Sequence, residues 1–319
     1  MKFRTEIKIG PASQQIDHNS KVVLLGSCFS EHMEAKFDHF KFDNLSNPFG
    51  ILFNPLAIEK AVQECIDEDY YTQDSLLKHK GSWLSLNHHS KFDHSDPDKT
   101  LSIINQNIEN GHRALKNASH VIITLGTSWV YKWNENGQSV GNCHKISQKK
   151  FTKSLLTSDE ILDSLKGIIK QVREVNKEAN FIFTVSPLRH LKDGFIENSL
   201  SKALLLAAIH TLQKDSGVYY FPAYEIMIDD LRDYRFYTSD MIHPNETAVD
   251  YIWNLFGNSW IDQPSREIMI EIDEIQKSLA HRPFNAASIG HKKFLLALED
   301  KIDKLQSRYP QIIFHKKRK

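Results

Sequence analysis

The chain has 319 residues, of which 40% are hydrophobic and 25% are charged, and its 40 Lys and Arg residues balance 40 Asp and Glu residues. This length suits one large domain or two ordinary ones, and the composition is typical of soluble globular proteins. The balanced charge excludes a global field that would recruit nucleic acid or an anionic membrane, so neither partner is expected.

The beginning of the chain and its cysteines indicate a compartment. The first residues, MKFRTEIKIGPASQQ, lack the apolar segment of a signal peptide, and no apolar run reaches membrane-spanning length. The three cysteines, Cys28, Cys65 and Cys143, include no CxxC pair, which argues against a disulfide framework or a zinc ribbon. The sequence therefore predicts a cytoplasmic protein.

Short apolar runs followed by turn residues are typical of buried parallel strands. Four such runs occur in chain order: Val22–Gly26, His120–Gly126, Asn180–Ser186 and Val218–Pro222. Helical patterns surround them at Ser30–His39, Pro55–Asp67, Asp96–Asn117, Ser158–Asn176, Ile196–Ser216 and Asn245–Phe256. This alternation predicts an α/β fold with a mainly parallel sheet, in which ligands bind beyond the carboxyl ends of the strands.

The pattern changes after about residue 263. Arg266–His281 and Ala287–Arg308 are amphipathic and contain no strand signal, which predicts a helical extension from residue 263 to 319 after a main domain of residues 1–262. The extension either packs on the main domain or mediates homo-oligomerisation. The polar segment Glu68–Asp98 is long for a connector, so we expect it to be functional.

The stretch VVLLGSCFS, residues 22–30, combines a strand end, a glycine and two potential nucleophiles, Ser27 and Cys28. A nucleophile in such a turn lies near helical N–H groups, which stabilise an oxyanion and lower the pKa of a thiol. In the alternative interpretation this is an ordinary turn, with Ser27 as a helix cap and Cys28 as a small buried residue.

A second motif, SDMIHP, places Asp240 three residues before His243 in a loop that opens a helix. A carboxylate in this position can orient the imidazole, which then acts as general base toward a nucleophile elsewhere. A third motif, LGTSW, follows the His120–Gly126 run, and Ser128 or neighbouring N–H groups there are candidate oxyanion donors. Each motif alone is also compatible with simple capping.

Taken together and in this order, the motifs resemble the SGNH (GDSL-like) hydrolase superfamily, and within it the GSCFA-domain family. The matching segments are GSCFS, NPFGILFNP (Asn47–Pro55), LGTSWVY (Leu125–Tyr131), NCHK (Asn142–Lys145), TVSPLRH (Thr184–His190) and LRDYRFYTSDMIHP (Leu231–Pro244). The resemblance implies a three-layer α/β/α fold and hydrolase or acyl-transfer chemistry. An ester or thioester of a small molecule or glycan would be the substrate, and no cofactor is required.

The resemblance also assigns roles to individual residues. Alignment of LLGSCFS with the pattern LGDSLS places Cys28 on the nucleophile and Ser27 on the preceding Asp, so Cys28 is the first candidate and Ser27 the second. Gly50 matches the glycine oxyanion donor, and Ser128 stands where SGNH enzymes carry Asn. Loss of one such donor can cost about 2.7–4 kcal/mol, which puts efficient ester hydrolysis in doubt.

Other polar residues have weaker assignments. His144 and Arg189 could bind a carboxylate or phosphate of the substrate, or make structural hydrogen bonds. The loop NHHSKFDHSDPD contains His88, His89 and His94 and could hold a metal, although a lid or substrate loop fits its spacing better. Three hypotheses result: a cofactor-free acyl hydrolase or transferase, a non-catalytic binding protein, and a metal-dependent hydrolase.

Overall fold

The computed structural model describes residues 5–285 and 288–314 and shows an α/β architecture built on a five-stranded parallel sheet. The sheet has the order β2-β1-β5-β9-β10. Its strands are β1 (Lys21–Gly26), β2 (Asp43–Ser46), β5 (His120–Leu125), β9 (Asn180–Val185) and β10 (Val218–Tyr220). The predicted α/β fold with a mainly parallel sheet is thus confirmed.

Helices cover both faces of the sheet. The main helices of the α/β domain are α1 (Cys28–His39), α2 (Pro55–Asp67), α3 (Pro97–Asn117), α4 (Ser158–Val175), α5 (Phe195–Leu212) and α7 (Glu246–Trp260). A short α6 (Ala223–Glu225) continues into a π-helical turn at Ile226–Asp230. The predicted helix for α2 has the observed bounds, and the other predicted helix ends in this domain differ by up to four residues.

Two apolar cores explain the three layers, because successive strand residues point to opposite faces. Val23 and Val121 face a core that α2, α3, α4 and α5 complete, whereas Val22 and Ile122 face a core that α1 and α7 complete. The strands β1, β5 and β9 are buried on both faces, which is why they read as continuous apolar runs.

Several strands have no signal in the predicted pattern. The edge strand β2 has the polar sequence DNLS, and the hairpin of β3 (Leu77–His79) and β4 (Ser82–Leu84) lies within the predicted polar loop. A separate antiparallel sheet follows β5, formed by β6 (Trp129–Trp133), β7 (Ser139–Val140) and β8 (Phe151–Leu155). These strands are short, partly exposed or at an edge, so apolar runs do not reveal them.

The C-terminal region is helical, as predicted. It contains α8 (Gln263–Ala280) and α9 (Ile289–Arg308), and the predicted start of the last helix, Ala287, lies outside the described residues. Ile272 of α8 and Leu305 of α9 are fully buried in a core of their own, and Asp273 bonds to His39 of α1 at 3.0 Å. Within residues 5–285 and 288–314, no helix is long and apolar enough to cross a membrane.

The strand order fixes where a ligand would bind. Numbered in sequence order, the five parallel strands lie side by side in the order 2-1-3-4-5. The chain passes from β1 to β2 on one side and then crosses to β5 on the other side of β1. Ligands of such sheets bind in the crevice beyond the carboxyl ends of the strands at this reversal. The GSC turn after β1 and the LGTSW segment after β5 both begin at this point.

Candidate active site

The backbone of the GSC turn is held by its neighbours. Gly26 has a φ of 127°, and a Cβ there would lie 2.1 Å from the carbonyl oxygen of Thr124 in β5, so only glycine fits. The Gly26 N–H donates to Asn47 Oδ1 at 2.8 Å, and the Ser27 N–H donates to the Thr124 carbonyl at 3.0 Å. These contacts place the start of α1 directly above the ends of β1 and β5.

The two potential nucleophiles of this turn have different environments. Ser27 is fully buried and caps α1, because its Oγ accepts from the Phe29 N–H at 3.4 Å and its carbonyl accepts from the Ser30 N–H. Cys28 is the first residue of α1 and is partly accessible. Burial raises the pKa of the Cys28 thiol, and the nearby Glu31 carboxylate raises it further. The resting thiol is therefore protonated near neutral pH.

The loop of the SDMIHP motif, residues 239–244 and here named the DxxH loop, contains a carboxylate that several hydrogen bonds hold in place. Asp240 Oδ1 accepts from the Thr238 hydroxyl at 2.6 Å, the Ile242 N–H at 2.8 Å and the His243 N–H at 3.0 Å. The other oxygen, Oδ2, lies 2.6 Å from His243 Nδ1. The bond from Thr238, followed by those from the two backbone N–H groups and the imidazole, lowers the pKa of Asp240 well below its usual range. The carboxylate therefore stays ionised and fixes the orientation of His243.

The same loop holds one strained residue. Met241, between Asp240 and His243, has a φ of 59°, in the left-handed region that a residue other than glycine seldom adopts. Such strain costs on the order of 1–3 kcal/mol and persists where surrounding contacts enforce it, as at functional sites. Here the two backbone N–H groups that follow Met241 both bond to Asp240.

Two further histidines lie around His243, and the motif analysis did not single them out. His32 lies one helical turn after Cys28 on the same face of α1, and His190 lies in the segment after β9. Burial lowers the pKa of His32, and the charge of His243 lowers it further. His243 also contributes to the lowered pKa of His190, so it lies within electrostatic range of both rings. His243 thus interacts electrostatically with the helix that carries Cys28.

His190 is a partly buried imidazole. Its pKa is lowered to about 3 by burial, then by the charges of Lys202 and His243. Its Nε2 is buried with no hydrogen-bond partner among the described residues, and a Cβ on Gly126 would lie 3.0 Å from it. The quoted match TVSPLRH contains this residue, but nothing in the sequence distinguished it from its neighbour Arg189.

A fully buried lysine supports the same edge. Lys202 of α5 donates from Nζ to the carbonyl oxygens of Gly126 and Ser186, each at 2.8 Å. These carbonyls follow the last residues of β5 and β9. Burial lowers the pKa of Lys202 to about 7. Lysine is usually a solvent-exposed residue, so its burial at this position is not predictable from the sequence.

The two residues predicted as side-chain and glycine oxyanion donors, Ser128 and Gly50, make other hydrogen bonds in this structure. Ser128 is fully buried: its hydroxyl donates to the Ser201 carbonyl at 2.7 Å, and its N–H donates to Ser201 Oγ at 2.7 Å. The Gly50 N–H donates to the Asn47 carbonyl at 2.7 Å, which closes a turn. The Ser128 side chain thus packs inward, where Ser201 of α5 satisfies its hydrogen bonds.

His144 makes the structural hydrogen bonds that the sequence analysis gave as the alternative to a substrate contact. Its Nδ1 lies 3.0 Å from Asp93 Oδ2 and its Nε2 lies 2.8 Å from the Ser85 carbonyl, and the side chain is almost entirely buried. Both ring nitrogens are therefore occupied, and His144 joins its own turn to the loop of residues 85–96.

The histidines of that loop also have separate structural roles. His88 is fully buried, and its ring centre lies 4.2 Å from that of Phe49, on which it stacks. Burial, with smaller contributions from the charges of His144 and Lys60, lowers its pKa to about 3. His89 and His94 accept from backbone N–H groups two residues further along the chain. In residues 5–285 and 288–314, no group of three or more His, Cys, Asp or Glu side chains is arranged to hold a metal ion.

Arg189 lies beside the DxxH loop. Its N–H donates to the Ile242 carbonyl at 3.4 Å, and its guanidinium lies 4.2 Å from the ring centre of Tyr237 and 5.1 Å from that of Tyr234. Partial burial lowers the pKa of Arg189, but its contacts with the two tyrosines outweigh that effect and the net shift is upward. The structure thus places Arg189 beside the DxxH loop and His190 within electrostatic range of His243, whereas His144 bonds to the loop of residues 85–96.

Comparison with known proteins gives two matches along the chain. The model of the GSCFA family matches residues 21–256, which include the GSC turn and the DxxH loop. The model of the GSCFA domain protein C-terminal domain matches residues 272–319, which include the second half of α8 and all of α9. Among curated proteins, no sequence matches this chain.

Proposed function

Because the chain belongs to the GSCFA family, whose model spans residues 21–256, we propose that it is an SGNH-type hydrolase or acyltransferase acting on an ester or thioester. The acyl group would be carried by a small molecule or a glycan. Cys28 is the nucleophile of this proposal, Ser27 is the second candidate, and His243 with Asp240 supplies the base. The balanced charge and unpaired cysteines favour a cytoplasmic setting.

The observation that carries the proposal is the Asp240–His243 pair. The carboxylate bonds to Nδ1 at 2.6 Å, so Nδ1 carries the hydrogen and Nε2 is left to accept a proton. Both side chains are a little under half exposed, at 42% and 45%, so a substrate can reach them. A carboxylate that makes three other hydrogen bonds to position one imidazole supports a catalytic role over a simple loop contact.

The proposed reaction has two steps. First, Nε2 of His243 takes the Cys28 proton as the sulfur attacks the acyl carbon; the C–O or C–S bond to the leaving group breaks, and the leaving group takes that proton. Second, water or an acceptor hydroxyl loses a proton to His243, attacks the acyl-enzyme, and releases the Cys28 thiol. Asp240 remains ionised and stabilises the imidazolium in both steps.

The oxyanion contacts of this proposal are fewer than in SGNH enzymes. The Cys28 N–H is at the first position of α1, where a helix N–H has no partner inside the helix and the helix dipole favours negative charge. Ser128 and Gly50 would have to give up bonds of 2.7 Å to contribute. This difference favours a thioester or another activated acyl donor, whose leaving group departs more readily.

Turnover of a panel of acyl esters and thioesters tests the proposal. We expect His243→Ala to lower kcat by about 10²–10⁴, the usual contribution of a positioned general base. Cys28→Ala, which removes the attacking atom, should lower kcat by at least as much. Cys143→Ala and His210→Ala are matched controls, since Cys143 is partly buried elsewhere and His210 lies on the outer face of α5. Equal turnover by all four variants would overturn the proposal.

Chemical labelling distinguishes the two nucleophiles. Burial raises the pKa of Cys65 to about 12 and that of Cys143 to about 11, so a low dose of iodoacetamide should label Cys28 first. His243→Ala should slow this labelling. A fluorophosphonate adduct on Ser27 that Ser27→Ala abolishes would instead assign the reaction to the serine.

One observation favours a second candidate, a non-catalytic binding protein that retains the fold. The thiol of Cys28 has a raised pKa, and Ser128 has an inward bond where an SGNH enzyme has a free donor. A binding protein would retain ligand affinity in Cys28→Ala and His243→Ala and would show no turnover with any acyl substrate.

A further inference from the structure

An open pocket of about 230 Å³ lies beside the DxxH loop, outside the GSC turn. Its apolar lining comes from Met227, Ile228 and Leu231, of which Met227 and Leu231 are buried and Ile228 is partly exposed. Tyr234 and Tyr237 add two aromatic rings. The pocket can therefore receive a small group that has an apolar or planar part.

The pocket is connected to the base through the backbone. Arg189, which lines the pocket, donates its N–H to the Ile242 carbonyl, and the Ile242 N–H donates to Asp240 Oδ1 at 2.8 Å. His243 follows Ile242 directly. A group bound at Arg189 would therefore lie beside the loop that carries the proton acceptor of the proposed reaction.

The charges around the pocket leave one cation without a counterion. Arg232 forms an ion pair with Asp229, and the pocket carboxylate Asp233 forms one with Arg235 at 3.0 Å. Within residues 5–285 and 288–314, no carboxylate forms an ion pair with Arg189. The net charge of these five side chains is thus positive and is located on Arg189, whose guanidinium the two tyrosine rings hold in place.

These observations deepen the proposed function and rest on it. We propose that the pocket binds an anionic substituent of the acyl substrate, a carboxylate or phosphate joined to a short apolar or aromatic group. Arg189 supplies the charge and planar hydrogen-bond donors that match such an anion. Tyr234 and the apolar lining at Met227 and Ile228 bind the apolar part of the substituent. Substrates without a negative charge would bind poorly.

Calorimetric titration of the full chain with phenyl phosphate, benzoate and neutral benzyl alcohol tests the pocket without turnover. We expect both anions to bind and Arg189→Gln to weaken them about tenfold or more, equivalent to about 1.4 kcal/mol. Asp233→Asn, which removes a carboxylate from the pocket, should strengthen binding. Arg308→Gln, far away on α9, is the matched control and should change nothing.

The outcomes separate the pocket from the reaction. The anions should bind His243→Ala as tightly as the wild type, even though turnover of that variant is lost. If Arg189→Gln binds the anions as well as the wild type does, or benzyl alcohol binds equally well, the pocket proposal is overturned while the hydrolase proposal stands. If anion binding depends on Arg189 and His243→Ala keeps full turnover, only the proposed reaction fails.

Thermal unfolding of each variant checks that the fold is retained. Arg189→Lys keeps the charge without the planar donors, so it should bind the anions with intermediate affinity. An unchanged unfolding temperature would show that weak binding by Arg189→Lys does not result from a loss of the fold. Unchanged affinity in Arg189→Lys, with loss only in Arg189→Gln, would assign binding to charge alone and overturn the planar recognition.

Discussion

Two segments at the same edge of the sheet show opposite uses of polar residues. The segment after β5, Gly126–Ser128, directs its polar groups inward, where Ser201 and Lys202 of α5 bind them. The DxxH loop directs Asp240 and His243 outward, where both are accessible to a substrate. A position at the strand ends is therefore insufficient to identify a site residue. The direction of the hydrogen bonds distinguishes polar groups that stabilise the fold from those that a substrate can reach.

The largest effect should come from the outward segment. Asp240→Asn keeps the size of the side chain but removes the charge that orients His243, so we expect kcat to fall by about 10²–10⁴. Steady-state kinetics on an active ester or thioester measures this, and thermal unfolding serves as the control. A variant with normal kcat would show that the charge of Asp240 is not needed for turnover, which would remove the proposed difference between the DxxH loop and Gly126–Ser128.

The inward segment should respond in stability. Lys202→Met leaves the Gly126 and Ser186 carbonyls buried without their donor, and each unsatisfied group costs about 1–3 kcal/mol. We therefore expect the free energy of unfolding to fall by about 2–5 kcal/mol. Urea denaturation measures this loss. An undiminished stability would mean that Lys202 does not support the strand ends.

A smaller effect is expected for Ser128→Ala. It removes the bond to the Ser201 carbonyl and should lower the free energy of unfolding by about 1–3 kcal/mol. Because the hydroxyl points inward, kcat should change by less than about threefold, whereas loss of an oxyanion donor costs about 10²–10³. A large fall in kcat at unchanged stability would restore Ser128 as a catalytic donor.

The smallest expected effect, taken per pH unit, is a pH dependence of the free energy of unfolding. Burial lowers the pKa of Lys202 to about 7, whereas the unfolded chain has the ordinary value of 10.5. Between these values the unfolded state binds a proton that the folded state lacks, so stability rises with pH, by up to about 1.4 kcal/mol per unit. Denaturation at pH 7 and 9 in wild type and Lys202→Met isolates this contribution, which the variant should lack.

The sequence predicted the features that depend on local patterns. Buried parallel strands produce apolar runs, so β1, β5 and β9 were recognisable, and the D-x-x-H spacing was enough to predict the Asp240–His243 contact. The polar edge strand β2 and the short antiparallel strands produce no such run. Their pairing depends on partners distant in the chain.

Residue type does not determine in which direction a polar side chain makes its hydrogen bonds. Ser128 and His144 have residue types suited to a substrate contact, but tertiary neighbours bind both of them. Lys202 and His190 contribute at the site because burial changes their chemistry, and burial of a single polar residue cannot be read from composition or periodicity. The assigned roles of Cys28, Ser27, Asp240 and His243 remain predictions.

The GSC turn has a consequence for the choice between sulfur and oxygen as attacking atom. Its shape is set by the backbone of Gly26, by Asn47 and by the β5 carbonyl, and none of these contacts involves the Cys28 side chain. Exchange of sulfur for oxygen at this position would therefore leave the backbone unchanged. Replacement of a single atom at residue 28 can therefore alter the reactivity of the turn while its backbone structure is conserved.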